Sequence, residues 1–477
     1  MATAIPQSTH PLVVHEDRLF SSDPVQRAIA RNLYEAVRGL PIVSPHGHTD
    51  PAWFADDLPF SNATELLLTP DHYVFRMLYS QGVALESLSV PARAGASKVD
   101  PREAWRTFAQ YWYLFRGTPS AGWLEQTFAN VFGIEVALGP DTADHYYDTI
   151  AAALATPAFR PRALFERFNI EVIATTEPPT DTLEHHKKIL ASGWHGRVIS
   201  AYRPDPVIDA EHEQFRDALV RFGDISGEDV ESWKGYLAAH RKRRAAFIDI
   251  GTTSSDHGHP TAATADLSPA EAEKLFGRIV AGQFDANDAE LFRAQMLLEM
   301  ARMSLDDGLV LQIHPGVFRN HNTALFATHG RDKGADIPLA TEYVRALKPL
   351  LDRFGNEPKM SIIVFTLDET SYTRELAPLA GHYPALKLGP AWWFHDSPNG
   401  LMRFREQTTE TAGFYNTVGF TDDTRAFLSI PARHDTARRI DCAYLARLVA
   451  EHRLDESEAI EVAMDLAYRL PKKAYRL

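Results

Sequence analysis

The chain has 477 residues, 45% of them hydrophobic and 23% charged, with 63 acidic against 49 basic side chains. That composition supports a large core and excludes intrinsic disorder. A net charge of −14 argues against a general nucleic-acid binder, which needs a basic surface to displace counterions.

A small anionic substrate stays open, because a site needs only a few local arginines. The single cysteine, Cys442, cannot form an internal disulfide. Residues 1–20 carry neither a basic start nor a continuous apolar stretch, and no run is long enough to span a bilayer. A cytoplasmic protein with no membrane partner is therefore the expectation. Histidine stands out at 20 residues, and imidazole is the commonest metal ligand.

Short apolar, β-branched runs that stop at polar residues recur along the chain. The first, residues 40–44, precedes His46-Gly47-His48. Residues 51–167 are then rich in Leu, Phe, Tyr and Ala at helical spacing, as at Ala104, Phe108, Tyr111 and Phe115. They read as a mostly helical subdomain inserted after the first strand. Residues 1–50 hold the N-terminal segment and that strand, and 168–477 hold the remainder.

The later runs are 170–175 before TEPPTD, 198–202 before Arg203-Pro204-Asp205, and 246–250 before GTTSSDHGH. They continue with 309–313 before His314, 361–366 before Leu367-Asp368, 385–388 before GPAWWF, and 417–420 before TDDTR. Leu339, Tyr343, Leu347, Leu350 and Phe354 are spaced as one helix that Pro349 is expected to kink or split. Two helices, 442–452 and 456–470, are predicted at the end. Eight strands alternating with helices imply an α/β fold, a distorted (β/α)8 TIM-type barrel whose active site lies at the C-terminal ends of the strands. An open doubly wound sheet is the alternative.

Residues two apart in a strand share a face, so His46 and His48 are expected to point together into the barrel mouth. Two neutral imidazoles suit a divalent ion such as zinc, which wants a third or fourth ligand. His314 and Asp423, each near the end of a run, are the candidates for those places. The pattern His-x-His is weak alone. A second copy is His257-Gly258-His259, and either one taken by itself reads as surface or capping histidines.

His-x-His on the first strand, His on the fifth and Asp on the eighth is the ligand arrangement of the amidohydrolase superfamily, which this chain resembles. The fourth run brings no lysine to bridge two metals, and the sixth ends in Thr366-Leu367-Asp368 rather than histidine. The resemblance therefore implies one divalent metal ion, with zinc expected, held by His46, His48, Asp423 and His314.

Further motifs narrow the family. They are Asp71-His72-Tyr73 with Arg76, Arg203-Pro204-Asp205, Ser255-Asp256-His257-Gly258, and Gln312-Ile313-His314 leading to Arg319-Asn320-His321. The last third adds Ala391-Trp392-Trp393-Phe394-His395-Asp396 and Asp423-Thr424-Arg425. In this order, from about residue 40 to 439, they resemble the uronate (glucuronate) isomerase family. Residues 116–134 match it loosely, and His259 has no counterpart in its pattern. The resemblance implies interconversion of D-glucuronate with D-fructuronate and of D-galacturonate with D-tagaturonate.

That chemistry moves a proton from C2 to C1 through a cis-enediol and needs a base, an acid/base for the oxygens and an anchor for the carboxylate. Asp423 is the candidate base. His72 and Tyr73 are candidates to move the proton between oxygens, although Asp71-His72-Tyr73 also reads as a helix start capped by Asp71. A second such tripeptide, Asp144-His145-Tyr146, has no functional reading. Arg425, placed by strand alternation on the face of Asp423, and Arg203 are candidates to clamp the carboxylate. Trp392 is a candidate to stack on the sugar, and Asp256 and His257 to orient the ligands from behind.

The rival reading is a mononuclear metal-dependent hydrolase of the same superfamily, with Asp423 activating a metal-bound water. The expected partner is a hexuronate. The sequence is compatible with a homo-oligomer.

Overall fold

The computed structural model describes residues 10–95 and 99–477; the reading of residues 1–20 thus falls partly outside the described residues. Seven strands run in chain order through one curled parallel sheet. They are β1 (Ile42–Ser44), β2 (Ile170–Glu177), β3 (Arg197–Tyr202), β4 (Ser254–His257), β5 (Val310–Ile313), β8 (Ile362–Val364) and β9 (Leu386–Leu388). Two short strands, β6 (Val317–Phe318) and β7 (Ile337–Pro338), pair antiparallel in the connection after β5.

The expected eighth strand is the principal difference. Residues 417–420 make one parallel bridge, Leu388 to Thr417, and no strand. Gly419 at φ +79° and Asp423 at φ +42° turn the backbone out of the extended conformation, and a Cβ at Gly419 would lie 2.5 Å from Leu466 O. The segment still spans the gap between the two edges of the sheet. Leu388 N donates to Asn416 O at 2.9 Å, Val418 N to Leu388 O at 3.1 Å, and His48 N to Thr424 O at 3.0 Å. A distorted barrel closed by irregular chain is the result.

Two local expectations fail for identifiable reasons. Residues 246–250 are no strand; they end the helix Trp233–Ile248, whose buried Tyr236, Ala239, His240, Arg243 and Phe247 follow helical spacing. The strand is the polar stretch after Gly251 (φ +91°). All of Ser254–His257 is buried, and Ser254 Oγ accepts from Gln312 Nε2 at 3.0 Å, so a hydrogen-bonded interior replaces the apolar run that sequence reading looks for.

The helical spacing at 339–354 yields only Lys348–Phe354, because Pro349 starts the helix instead of kinking it. The predicted helix at 442–452 belongs to Ile430–Ala450, again with a proline in the first turn. The final helix, Glu456–Met464, passes through a π turn into Leu470–Tyr475.

Every helix or strand named between β1 and β2 is helical, from Pro51–Asp56 to Pro161–Arg167. Proline in the first turn of Pro51–Asp56, Pro101–Gln110, Pro119–Gln126 and Pro161–Arg167 marks their starts. Their apolar faces, including Phe54, Phe75, Trp105, Phe128 and Tyr146, form one cluster with Ile42, Ile170, Ile173 and Phe427 of the barrel. A separate, larger cluster packs the helices on the other side against β3, β5, β8 and β9. Among the described residues no helix is long and apolar enough to cross a membrane.

Candidate active site

A cavity of about 340 Å³ opens at the C-terminal ends of the parallel strands, the end at which barrels of this type collect functional groups. His46, His48, His72, Tyr73, Arg203, His314, Trp392, Asp423 and Arg425 all line it, so every candidate for catalysis, substrate binding or metal is there.

They arrive by different routes than strand alternation. His46 and His48 lie past the end of β1, in irregular chain. Their rings meet edge to face with centroids 5.3 Å apart. Asp423 and Arg425 are not on a strand; Asp423 takes a left-handed turn at φ +42°, and both side chains line the cavity. Asp is one of the residues that tolerates such a turn.

His46 Nε2 and His48 Nε2 lie 3.5 and 3.0 Å from Asp423 Oδ1. Among the described residues that oxygen accepts no aligned hydrogen bond. The three donor atoms all fall within 4.8 Å of one another. The other oxygen, Oδ2, accepts from Trp392 Nε1. Burial works against ionisation of Asp423, but the imidazoles of His46 and His48 outweigh it and hold the carboxyl far below its usual range. Burial also lowers His48, against the opposing pull of the Asp423 carboxylate.

His314, just past β5, stacks on His46 at 4.7 Å and on Phe365 at 3.9 Å. Its Nδ1 lies 2.6 Å from Asp256 Oδ1, while Nε2 has no partner among the described residues. It groups with His46 and Asp256 rather than with Asp423. Imidazole and carboxylate donors with open lone pairs at this spacing fit a divalent cation, and the Asp256 contact fixes the tautomer of His314 as an outer partner does in such centres.

The Asp71-His72-Tyr73 motif serves two purposes. Asp71 Oδ1 caps the helix His72–Tyr79 by accepting from Tyr73 N at 2.9 Å. The same turn directs His72 into the cavity, edge to face with Trp393 at 5.1 Å. Burial and then the Arg425 charge push His72 down to about 3, so it is neutral. The Tyr73 hydroxyl is committed. It donates to Asp396 Oδ1 at 2.8 Å and accepts from Phe394 N at 2.8 Å, and burial raises it well above its usual value. It thereby braces a turn in which Phe394 sits at φ +70°, a strained backbone for a bulky residue. Asp144-His145-Tyr146, by contrast, merely begins the helix Ala143–Leu154, with Tyr146 buried in the core.

Each cavity arginine is paired. Arg203 Nε lies 2.9 Å from Asp205 Oδ2, and Nη1 lies 3.1 Å from Asp256 Oδ2. Arg425 Nη2 lies 3.1 Å from Asp332 Oδ2, and Arg319 Nη1 lies 2.9 Å from Asp336 Oδ2. Trp392 is 6% exposed and packs edge to face on His314 at 4.7 Å. Trp393 lines the cavity with an indole N–H that has no partner among the described residues.

Sequence reading did not anticipate Asp332 or Asp336, which lie in a polar connection with no motif around them. It also passed over Arg433, which is buried with Nη1 2.9 Å from Asp396 Oδ2 and its guanidinium 3.7 Å from the Trp123 ring centre.

Comparison with known proteins agrees along the whole length. The glucuronate isomerase family model matches residues 18–475. A uronate isomerase of Phenylobacterium zucineum is 71% identical over 469 residues, 98% of each chain. The crystal structure of a glucuronate isomerase from Caulobacter crescentus superposes with a TM-score of 0.97 at 68% identity, covering 98% of both chains. That of a uronate isomerase from Thermotoga maritima superposes with a TM-score of 0.91 at 26% identity, covering 97% of this chain and 99% of the other. With a family match from end to end and identity of this order, the chain belongs to the glucuronate isomerase family.

Proposed function

We propose that the chain is an aldose–ketose isomerase of hexuronates, interconverting D-glucuronate with D-fructuronate and D-galacturonate with D-tagaturonate. The observation that carries this reading is that one cavity is lined by the Asp423 carboxylate, the His72 imidazole and the Arg425 guanidinium. Those are the three groups the reaction needs.

Asp423 takes the proton from C2 and returns it to C1. The indole of Trp392 and the two imidazoles fix its direction, so the carboxylate need not reorganise as the enediol forms. His72, neutral and free of capping duty, passes the proton between O1 and O2. Tyr73 keeps its own proton and holds the Trp393–Asp396 turn in place. Arg425 receives the substrate carboxylate in a charge-assisted pair, while Arg203 stays with Asp205 and Asp256 in the cavity wall. Trp393 offers its free N–H to a sugar hydroxyl.

His46, His48 and Asp423, with His314 beside them, are the residues that would hold one divalent ion, for which zinc fits the nitrogen-and-carboxylate donors; bound there, it supplies positive charge that orients and polarises the substrate oxygens.

Asp423→Asn tests the assignment. We expect kcat to fall by about 10²–10⁴-fold, and exchange of solvent deuterium into C2 to stop with it. Exchange at close to the wild-type rate would remove Asp423 as the base. Turnover of amides or lactones in place of glucuronate would favour the mononuclear hydrolase.

A further inference from the structure

The second His-x-His, His257-Gly258-His259, is neither on the surface nor a cap, as a lone copy of the pattern would suggest. His257 is 0% and His259 3% exposed. His257 ends β4, where it follows Asp256, the partner of His314. Among the described residues neither ring nitrogen of His259 has a hydrogen-bond partner, and neither does His257 Nδ1. Buried polar atoms are nearly always satisfied, so three open nitrogens on two adjacent imidazoles mark a missing partner.

Asp205 completes the cluster, with one donor atom from each of the three residues lying within 4.8 Å of the others. The Asp205 Oδ1 to His259 Nε2 distance is 4.0 Å, too long for a hydrogen bond. Two metal–ligand bonds of about 2.0–2.2 Å at a tetrahedral angle span about 3.4 Å, so a small rotation of one ring closes the gap.

The intervening residue is glycine for a reason. A Cβ at Gly258 would lie 2.3 Å from Arg203 Nη2 and 2.9 Å from Asp205 Oδ2, which would drive that pair apart.

We propose that Asp205, His257 and His259 form a second divalent-cation site of the zinc class, separate from the centre at His46, His48 and Asp423. No ligand is shared between the two. Two imidazoles and one carboxylate are a donor set that binds zinc with a remaining position for water.

The role that follows is one of positioning. Asp205 also lines the catalytic cavity and grips Arg203, which grips Asp256, which orients His314. An ion on Asp205 Oδ1 would leave Oδ2 for Arg203 and pin that chain of charges to the end of β4. The absence of a bridging lysine at β4 bears on a shared binuclear centre and does not count against a site that shares no ligand with the first.

The test is metal content, which is independent of turnover. Full-length protein stripped with a chelator, re-equilibrated with zinc and desalted should hold about two ions per chain, falling to about one in His259→Gln. Cobalt in place of zinc should show two visible absorption components, one of them lost in that variant. Wild-type protein holding about one ion, or His259→Gln retaining the wild-type count, would overturn the proposal. If His259→Gln does not fold, a His46→Ala/His48→Ala double variant decides. About one ion remaining supports the second site, and none overturns it.

Discussion

The two walls of the cavity hold their arginines in different ways. On the β3–β4 side Arg203 is 24% exposed and lies between Asp205 and Asp256, the second of which has no solvent exposure. Arg425 is 36% exposed and faces Asp332, itself 48% exposed, on the connection that follows β5. Separating a charge from a buried partner leaves it uncompensated and costs several kcal/mol, whereas an exposed pair is worth about 0–1 kcal/mol. A substrate carboxylate can therefore replace Asp332 at Arg425 with little loss, but cannot take Arg203 from its partners on the same terms. The contrast teaches that the guanidinium free to clamp a ligand is the one whose present partner is easily left. Arg203 is frame, and Arg425 is grip.

The frame side is where the largest effect is expected. Asp256→Asn keeps the shape but removes the charge that faces both Arg203 and His314. Folding stability should fall by about 3–5 kcal/mol, read as a lower urea midpoint at unchanged m-value. A loss below about 1 kcal/mol would show that this wall is no more rigid than the other, and the distinction would collapse.

Arg425→Met breaks the grip instead. It should leave stability nearly unaltered and raise KM for glucuronate by about 10–100-fold, the worth of one charge-assisted contact. An unchanged KM would move the clamp to Arg203 or Arg319.

How much of this was legible depended on what held each residue. Runs such as 170–175 and 309–313 became β2 and β5 because parallel strands buried on both faces are continuously apolar. β4 was displaced for the opposite reason. Its side chains are polar and buried inside the barrel, and the apolar run before it belonged to a helix.

The candidate site residues were picked out by motif spacing, and those named for catalysis, substrate and metal all line one cavity. The geometric reasoning offered for two pairs of them was not sound, since neither His46-Gly47-His48 nor Asp423-Thr424-Arg425 is extended strand. Asp332 could not be read at all. A charged residue in the stretch Arg331-Asp332-Lys333-Gly334 carries no periodicity, and its meaning comes from Arg425, far away in the chain. The second histidine pair was legible as letters, but burial, which gives it significance, is a tertiary property.

Asp332→Asn is the gentlest way to sharpen the comparison. If Asp332 holds the place at Arg425 that a uronate carboxylate takes, its charge is a built-in competitor. Neutralising it should lower KM for glucuronate by up to about fivefold, the ceiling set by a half-exposed ion pair, and should raise binding of simple carboxylate inhibitors in parallel. kcat should stay close to wild type, because the exchange occurs before the proton moves. The salt dependence should weaken as well, since added ions already screen the wild-type pair. The opposite result, a higher KM in Asp332→Asn, would mean that the carboxylate orients Arg425 for the substrate. The two walls would then be alike in kind, each a braced guanidinium, differing only in how deeply the brace is buried.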